Sequence, residues 1–403
     1  GIKNSRPEEY YGMNWLPNGD GFTFTSLKII DPKNPEVKLN TSLSLYDFKT
    51  KTIRNIFGEG LTPKTDNRLF PVTHIKGNHD KYIIVYLGGP DTFWDSYYTT
   101  FKDLENPSPD WKPLRKKSHK VVYGIDQLIE DDYYYLTYKD NGQSSIAKLN
   151  LNDSNKKIGQ VLETTDEIIT NFISVADSLF ITTSKHGVAN FLYGFKDDKY
   201  KKIVLPMLST EIDIRKGNNG SVWIGAKSPL KSVSNFLYKD GKVEQLNFYD
   251  SGTLTNFKNL IFKVVEVEGH DGEIIPMSII HQKGLKLNGE NAVFSDSYGA
   301  FGTMVDVSFQ TQFLSFASLG GVLVRPHIRG GGAKGHKWHI AGKKQNKPNS
   351  WKDLISCMEY LINNRYTSSS KISVFSESGG AIPIAMLVNK RPDLVGALII
   401  GSG

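Results

Sequence analysis

The run Ser376-Glu377-Ser378-Gly379-Gly380 is the part of the sequence best suited to covalent chemistry. A nucleophilic serine must project from a sharp strand-to-helix turn. The residues two before and two after it must be very small, because strand and helix backbones approach closely there. Ser378 has Ser376 before it and Gly380 after it, an S-x-S-x-G spelling of G-x-S-x-G. Ser376 is the poorer candidate, since Val374 and Ser378 would fill its small-residue positions. The amide of Gly379 would head the next helix and point at a developing oxyanion, so the chemistry implied is acyl transfer. A glycine-rich helix start with no catalysis is spelled the same way, and the position of the string carries the weight.

Three other clusters invite chemistry and lose it on inspection. Gly330-Gly331-Gly332 follows Arg329 and could cradle phosphate, but no Lys-Ser/Thr helix start follows. These glycines read instead as backbone turns beside the active face, with Arg329 held by a carboxylate. His327, His336 and His339 suggest zinc, yet no nearby Asp, Glu or Cys completes the set, so packing around Trp338 is expected, with no metal and no cofactor. The basic runs Arg115-Lys116-Lys117 and Lys199-Tyr200-Lys201-Lys202 fit the pI near 9.0. Asp197 and Asp198 lie beside the second, and no groove-sized basic stripe appears. A solvated surface is expected, not a nucleic-acid partner.

The serine needs a strand before it and a helix after it, and both are legible. A strand is expected over 371–375, a helix from the turn to about Asn389, and a further strand over 397–400. Upstream, 262–267 and 274–281 read as a hairpin around His270-Asp271-Gly272, and 292–297 and 321–326 as buried strands. Ser350 reads as a helix N-cap with Asp353 three residues on, and Leu354, Ile355, Met358, Leu361 and Ile362 make one apolar face. Alternating strands and helices predict a mostly parallel sheet covered on both faces, with ligands at the carboxyl ends of its strands.

Before residue 250 the pattern changes. Short β-type runs recur at 22–25, 82–86, 133–136, 179–182 and 222–225, with weaker strands at 145–151 and 236–238 between them. Polar turns precede them, among them Asn18-Gly19-Asp20-Gly21, Gly77-Asn78-His79-Asp80 and Gly217-Asn218-Asn219-Gly220. Spacings of roughly 40 to 60 residues suit propeller blades of four strands each. An irregular β-sandwich is the alternative. The expectation is a mixed fold, with an incomplete β-propeller over 1–250 and an α/β domain over 251–403.

The chain has 403 residues, a net charge of +7 and one cysteine, Cys357. One cysteine excludes a disulfide framework. The most apolar stretch, 313–324, is far short of the roughly 20 residues a bilayer span needs, so no membrane span is expected. A soluble chain is expected, cytoplasmic or periplasmic, with no signal peptide visible.

The sequence resembles the prolyl oligopeptidase family of serine peptidases. The resemblance rests on Asp271-Gly272-Glu273-Ile274-Ile275-Pro276-Met277, on Tyr298-Gly299-Ala300-Phe301-Gly302, and on Arg329-Gly330-Gly331-Gly332 leading to Gly335-His336-Lys337-Trp338-His339 and Lys347-Pro348-Asn349-Ser350-Trp351-Lys352-Asp353. It is completed by Ser378-Gly379-Gly380 and Arg391-Pro392-Asp393-Leu394. It implies a β-propeller followed by the N-terminal half of an α/β-hydrolase domain. It also implies Ser378 as nucleophile, Gly379 as a backbone oxyanion donor, Tyr298 as the second donor through its hydroxyl, and Phe301 as an aromatic wall for a proline ring. Without it, Tyr298 and Phe301 read as loop aromatics closing a core.

Two departures stand out: Ser376 where glycine is usual, and Pro383 in the opening turns of the next helix, at a cost of up to about 3 kcal/mol if that helix is regular there. Hydrolases of this type order their triad Ser, Asp, His. None of the nine histidines follows Ser378, and Asp393 is the one acid after it. The chain is therefore expected to be an internal fragment of a longer peptidase, inactive alone. The complete protein is expected to be a monomer that cleaves short peptides, with proline before the scissile bond. A non-catalytic peptide-binding module, or an esterase or exopeptidase of the same superfamily, are the alternatives.

Overall fold

A computed structural model describes residues 13–29, 33, 38–58, 61, 69–74, 81–89, 92–153, 158–164, 167–197, 199–247, 257–305 and 307–402. The turn at 77–80, Asp198 and the 248–256 stretch lie outside these described residues. By contact the chain divides into two compact units, 1–139 with 145–163, and 140–144 with 164–403.

Among the described residues there are five four-stranded antiparallel sheets, over 14–57, 70–115, 121–163, 168–203 and 211–246, each with its strands in sequence order. This is the blade arrangement, and it displaces the irregular-sandwich alternative. Period-2 patterning builds it. In Val222–Ser228, Val222, Ile224 and Ala226 are buried while Trp223 between them is exposed. Asp240-Gly241, both at positive φ (49° and 79°), close the hairpin between Lys231–Lys239 and Lys242–Leu246, as a two-residue type I′ loop requires. In the first unit, Tyr82–Gly88 is buried throughout because it is packed on both sides. Ile83, Val85 and Leu87 meet Leu43, Leu45 and Ile56 of the first sheet, while Ile84 and Tyr86 meet Tyr133 and Tyr135 of the third. In the second unit the sheets at 168–203 and 211–246 share a core that includes Phe180, Leu192, Ile212 and Ile224.

The second unit also holds a six-stranded sheet: β1 (Leu260–Glu268), β2 (Ile274–Gln282), β3 (Val293–Asp296), β4 (Val322–Pro326), β5 (Ile372–Glu377) and β6 (Ala397–Gly401). Their spatial order is β1-β2-β4-β3-β5-β6. β1 and β2 form the expected hairpin and β2 runs antiparallel to β4, while β4, β3, β5 and β6 are mutually parallel. Four helices join it: α1 (Thr311–Ser318), α2 (His336–Ile340), α3 (Pro348–Asn363) and α4 (Ala381–Lys390). Alternation along the strands divides the core in two. Ile280 and Leu323 pack under Leu314 and Ala317 of α1. Ile279, Val293, Val322, Val324, Ile372 and Val374 pack on the other face with Leu354, Met358 and Leu361 of α3 and Ile384 and Leu387 of α4. Cys357 of α3 is sealed in this core, and burial pushes its thiol well above the ordinary range.

The expected capping box at Ser350 is not formed. α3 begins at Pro348, where a first-turn proline gives up only an N–H that has no intrahelical partner. Ser350 therefore lies inside the helix, and its hydroxyl donates to the carbonyl of Arg329 (2.7 Å). Pro383 does not break α4, since it is the third residue of that helix and the same first-turn argument applies. Helix α1 was not anticipated, because an eight-residue element is too short to establish a 3.6-residue period. No helix among the described residues is long and apolar enough to cross a membrane.

Candidate active site

Parallel pairing of β4, β3 and β5 brings three loops to one edge of the sheet. Asp296 at the end of β3 is level with Phe375 of β5, so the 297–302 turn must lie beside the 378–380 turn. Ser295 is level with Val324 of β4, so the segment from His327 onward joins them. This is the carboxyl edge where open sheets of this type hold ligands.

Ser378 sits between the last residue of β5 and the first turn of α4, exposed, with φ at +49°. A left-handed backbone costs an L-residue of this kind roughly 1–3 kcal/mol and persists only where its surroundings impose it. The surroundings here are glycines. A Cβ on Gly380 would collide with Ser376 Oγ and lie 2.9 Å from Cδ2 of Tyr298; one on Gly379 would lie 3.0 Å from Phe301 and 3.1 Å from Ala300. Both glycines are thus in close contact with the 298–301 turn. The serine at 376 is also accounted for: its buried hydroxyl donates to the carbonyl of Ser297, tying β5 to β3, and the bare Gly380 leaves room for it. The side chain that glycine would lack before the nucleophile is accommodated by the one missing after it.

The structure therefore brings Ser378, Gly379, Tyr298 and Phe301 into one neighbourhood. The 298–302 turn is itself unusual, with Gly299, Phe301 and Gly302 at φ of 67°, 55° and 68°. Phe301 stands 67% exposed over Gly379, an aromatic face open to a ligand. An arrangement of an exposed serine hydroxyl, a helix-start amide and a flat apolar ring suits attack on a carbonyl flanked by a compact apolar group.

Behind these loops lies a charged platform. Arg329, 3% exposed, donates through Nε to Asp353 Oδ2 (2.9 Å), through Nη1 to Asp271 Oδ2 (2.6 Å) and through its backbone N–H to Asp353 Oδ2 (2.9 Å). Burial works against the guanidinium charge, but hydrogen bonds to Asp353 and Asp271 outweigh it and hold Arg329 above its ordinary value. The hydrogen bonds from Arg329 likewise hold the Asp271 carboxyl down, to about 2. Burial pushes Asp353 up while the bonds from Arg329 oppose it. The expected carboxylate partner of Arg329 is thus a pair, Asp353 and Asp271, and the Ser-x-x-Asp spelling that suggests a capping box conceals the role of Asp353.

The glycines after Arg329 serve backbone approach. A Cβ on Gly330 would strike the Gly299 carbonyl, and one on Gly342 would strike the backbone of Arg329 and Gly330. The histidines near them are used for packing. His327 Nε2 shares a hydrogen bond with Ser278 Oγ (2.8 Å), and burial pushes its pKa down to about 3, which keeps the ring neutral. His339 Nδ1 bonds the Gly330 carbonyl (2.9 Å), and the Trp338 indole N–H donates to the His327 carbonyl (3.0 Å). Lys347 belongs to a stretch that carries the resemblance but has no role assigned by it; its Nζ donates to the Gly299 carbonyl at 2.7 Å.

Residues 307–403 match the model of the prolyl oligopeptidase family. Prolyl oligopeptidase A of Galerina marginata is 25% identical over 322 residues, covering 77% of this chain and 43% of that protein. Prolyl endopeptidase of Elizabethkingia miricola is 37% identical over 148 residues, covering 37% of this chain and 21% of that protein. The solved structure of prolyl oligopeptidase B from Galerina marginata bound to a 25mer macrocyclization substrate superposes with a TM-score of 0.81 at 16% identity, covering 95% of this chain and 54% of that one. The chain thus spans about half the length of the solved relative and less than half of the two curated ones. The shared fold is a β-propeller followed by an α/β-hydrolase domain.

Proposed function

We propose, for a chain whose residues 307–403 are a prolyl oligopeptidase family domain, that Ser378 is the nucleophile of a serine endopeptidase cleaving short peptides after proline. The observation that carries this reading is the left-handed Ser378 at the end of β5, with Gly379 and Gly380 packed against Tyr298, Ala300 and Phe301.

In this reading Ser378 Oγ attacks the scissile carbonyl while a histidine acting as general base takes its proton. The carbonyl oxygen becomes an oxyanion that accepts from the Gly379 N–H and the Tyr298 hydroxyl. Collapse expels the amine, protonated by the same histidine, and leaves an acyl-enzyme on Ser378 that water hydrolyses. The Phe301 ring would seat the proline. Residues 1–250 would form the propeller part, which admits small unfolded peptides, and 251–403 the peptidase part.

The complete reading frame, assayed on a prolyl-peptide substrate with and without Ser378→Ala, tests the assignment. Hydrolysis lost in the variant is expected, and equal rates would sink it. The alternative, a peptide-binding module without a base, predicts that a fluorophosphonate leaves Ser378 unlabelled even in the complete product.

A further inference from the structure

The 298–302 turn holds three of its five residues in left-handed backbone, one of them the bulky Phe301, so something must over-determine it. Part of the answer is backbone: Gly302 N–H donates to the Gly330 carbonyl (3.0 Å) and Thr303 N–H to the Ala300 carbonyl (3.0 Å). The buried Gly299 carbonyl is confined between Gly330, where no Cβ could fit, and the ammonium of Lys347, which reaches it from the residue preceding α3.

We propose that Lys347 is a positioning residue: its ammonium, donated to the Gly299 carbonyl, fixes the 298–302 turn so that Tyr298 and Phe301 face Ser378. The inference rests on the reading of Ser378 as nucleophile. Among the described residues no carboxylate pairs with Lys347, and burial alone pushes its pKa down to about 8. A half-buried ammonium without a counter-ion is costly, and such a group is kept where the charge has a use. Here one charge-assisted hydrogen bond satisfies a buried carbonyl next to the tyrosine.

The test joins hydrogen exchange with kinetics, both on the complete reading frame, for Lys347→Met and Lys347→Arg. Lys347→Met is expected to speed exchange at the amides of Gly302 and Thr303 by at least about tenfold while those of Leu354 and Leu361 in α3 hold, a local opening rather than a global one. It is also expected to lower kcat by about 10- to 100-fold with KM within about threefold, the signature of an interaction made in the transition state. Lys347→Arg keeps the charge and the donor, and is expected to restore most of both. Unchanged exchange at Gly302 and Thr303, acceleration spread equally into α3, or an unchanged kcat beside an opened turn each overturn the proposal. Should Lys347→Met fail to fold, Lys347→Leu, which also lacks a donor, takes its place with the same expectations. If Ser378→Ala costs no activity, the catalytic reading falls, whereas the exchange result still decides whether Lys347 holds the turn.

Discussion

The 376–380 turn and the 327–353 platform meet at the same sheet edge and are built in opposite ways. The turn exposes its serine, carries a strained backbone and owes its shape to two glycines packed against aromatic and alanine side chains. The platform is buried, and Arg329 binds Asp353 and Asp271 across three separate stretches of chain while Ser350 and Trp338 take up backbone carbonyls. The difference separates two tasks. Reactivity requires a hydroxyl with little around it, and the energy that holds such a hydroxyl in place must be supplied one layer back. Substitutions in the two segments should therefore affect different observables.

The largest effect expected is on activity alone. Ser378→Ala in the complete protein should lower kcat by at least about 10⁴-fold while leaving the urea midpoint within error of the native one; a marked drop in that midpoint would show that the turn also carries stability. The converse is Asp353→Ala, which leaves a buried guanidinium short of its main partner and should cost about 3–5 kcal/mol in equilibrium unfolding. A loss below about 1 kcal/mol would mean that Asp271 alone suffices for Arg329.

Gly380→Ala lies between them. Its φ of −78° suits alanine, so the cost is steric, from Ser376 Oγ and the Tyr298 ring, about 1–3 kcal/mol. Adding Ser376→Gly should return part of that loss, and strict additivity of the two changes in denaturation would refute the described contact. The smallest effect is a pH dependence. Asp271 is held down to about 2 by Arg329, below its unfolded value, so its contribution is complete above about pH 4 and fades as pH falls through 2. The carboxylate is 37% exposed and screened by solvent, so the slope in stability should be shallow and absent in Asp271→Asn.

How far the sequence disclosed this arrangement varies from residue to residue. Ser378 was legible because its small neighbours fall between a β-branched strand and a helix. Tyr298 and Phe301 entered only through resemblance, since nothing local distinguishes them from aromatics closing a core; the parallel register of β3 and β5, offset by 79 residues of sequence, is what sets them beside the serine. Ser350 misleads in sequence because Ser-x-x-Asp has the form of a capping box, whereas Pro348 starts the helix two residues earlier and frees both side chains to serve Arg329. Lys347 lies in a stretch that carries the resemblance, but its role gives no signal: its partner is a carbonyl 48 residues away, and carbonyls are silent in a sequence. The blades were legible as a rhythm rather than one by one, because five sheets of similar strands differ mainly in loop length.

The sealed position of Cys357 has a practical consequence. Since it is the one cysteine in the 403 residues and lies wholly within the α3 core, the native surface offers a maleimide nothing to react with. A cysteine placed at the open position of Phe301 would then be the single addressable thiol, and a second equivalent of dye would bind only to molecules that have opened their core. Counting dyes per chain would report site labelling and the unfolded fraction in one spectrum.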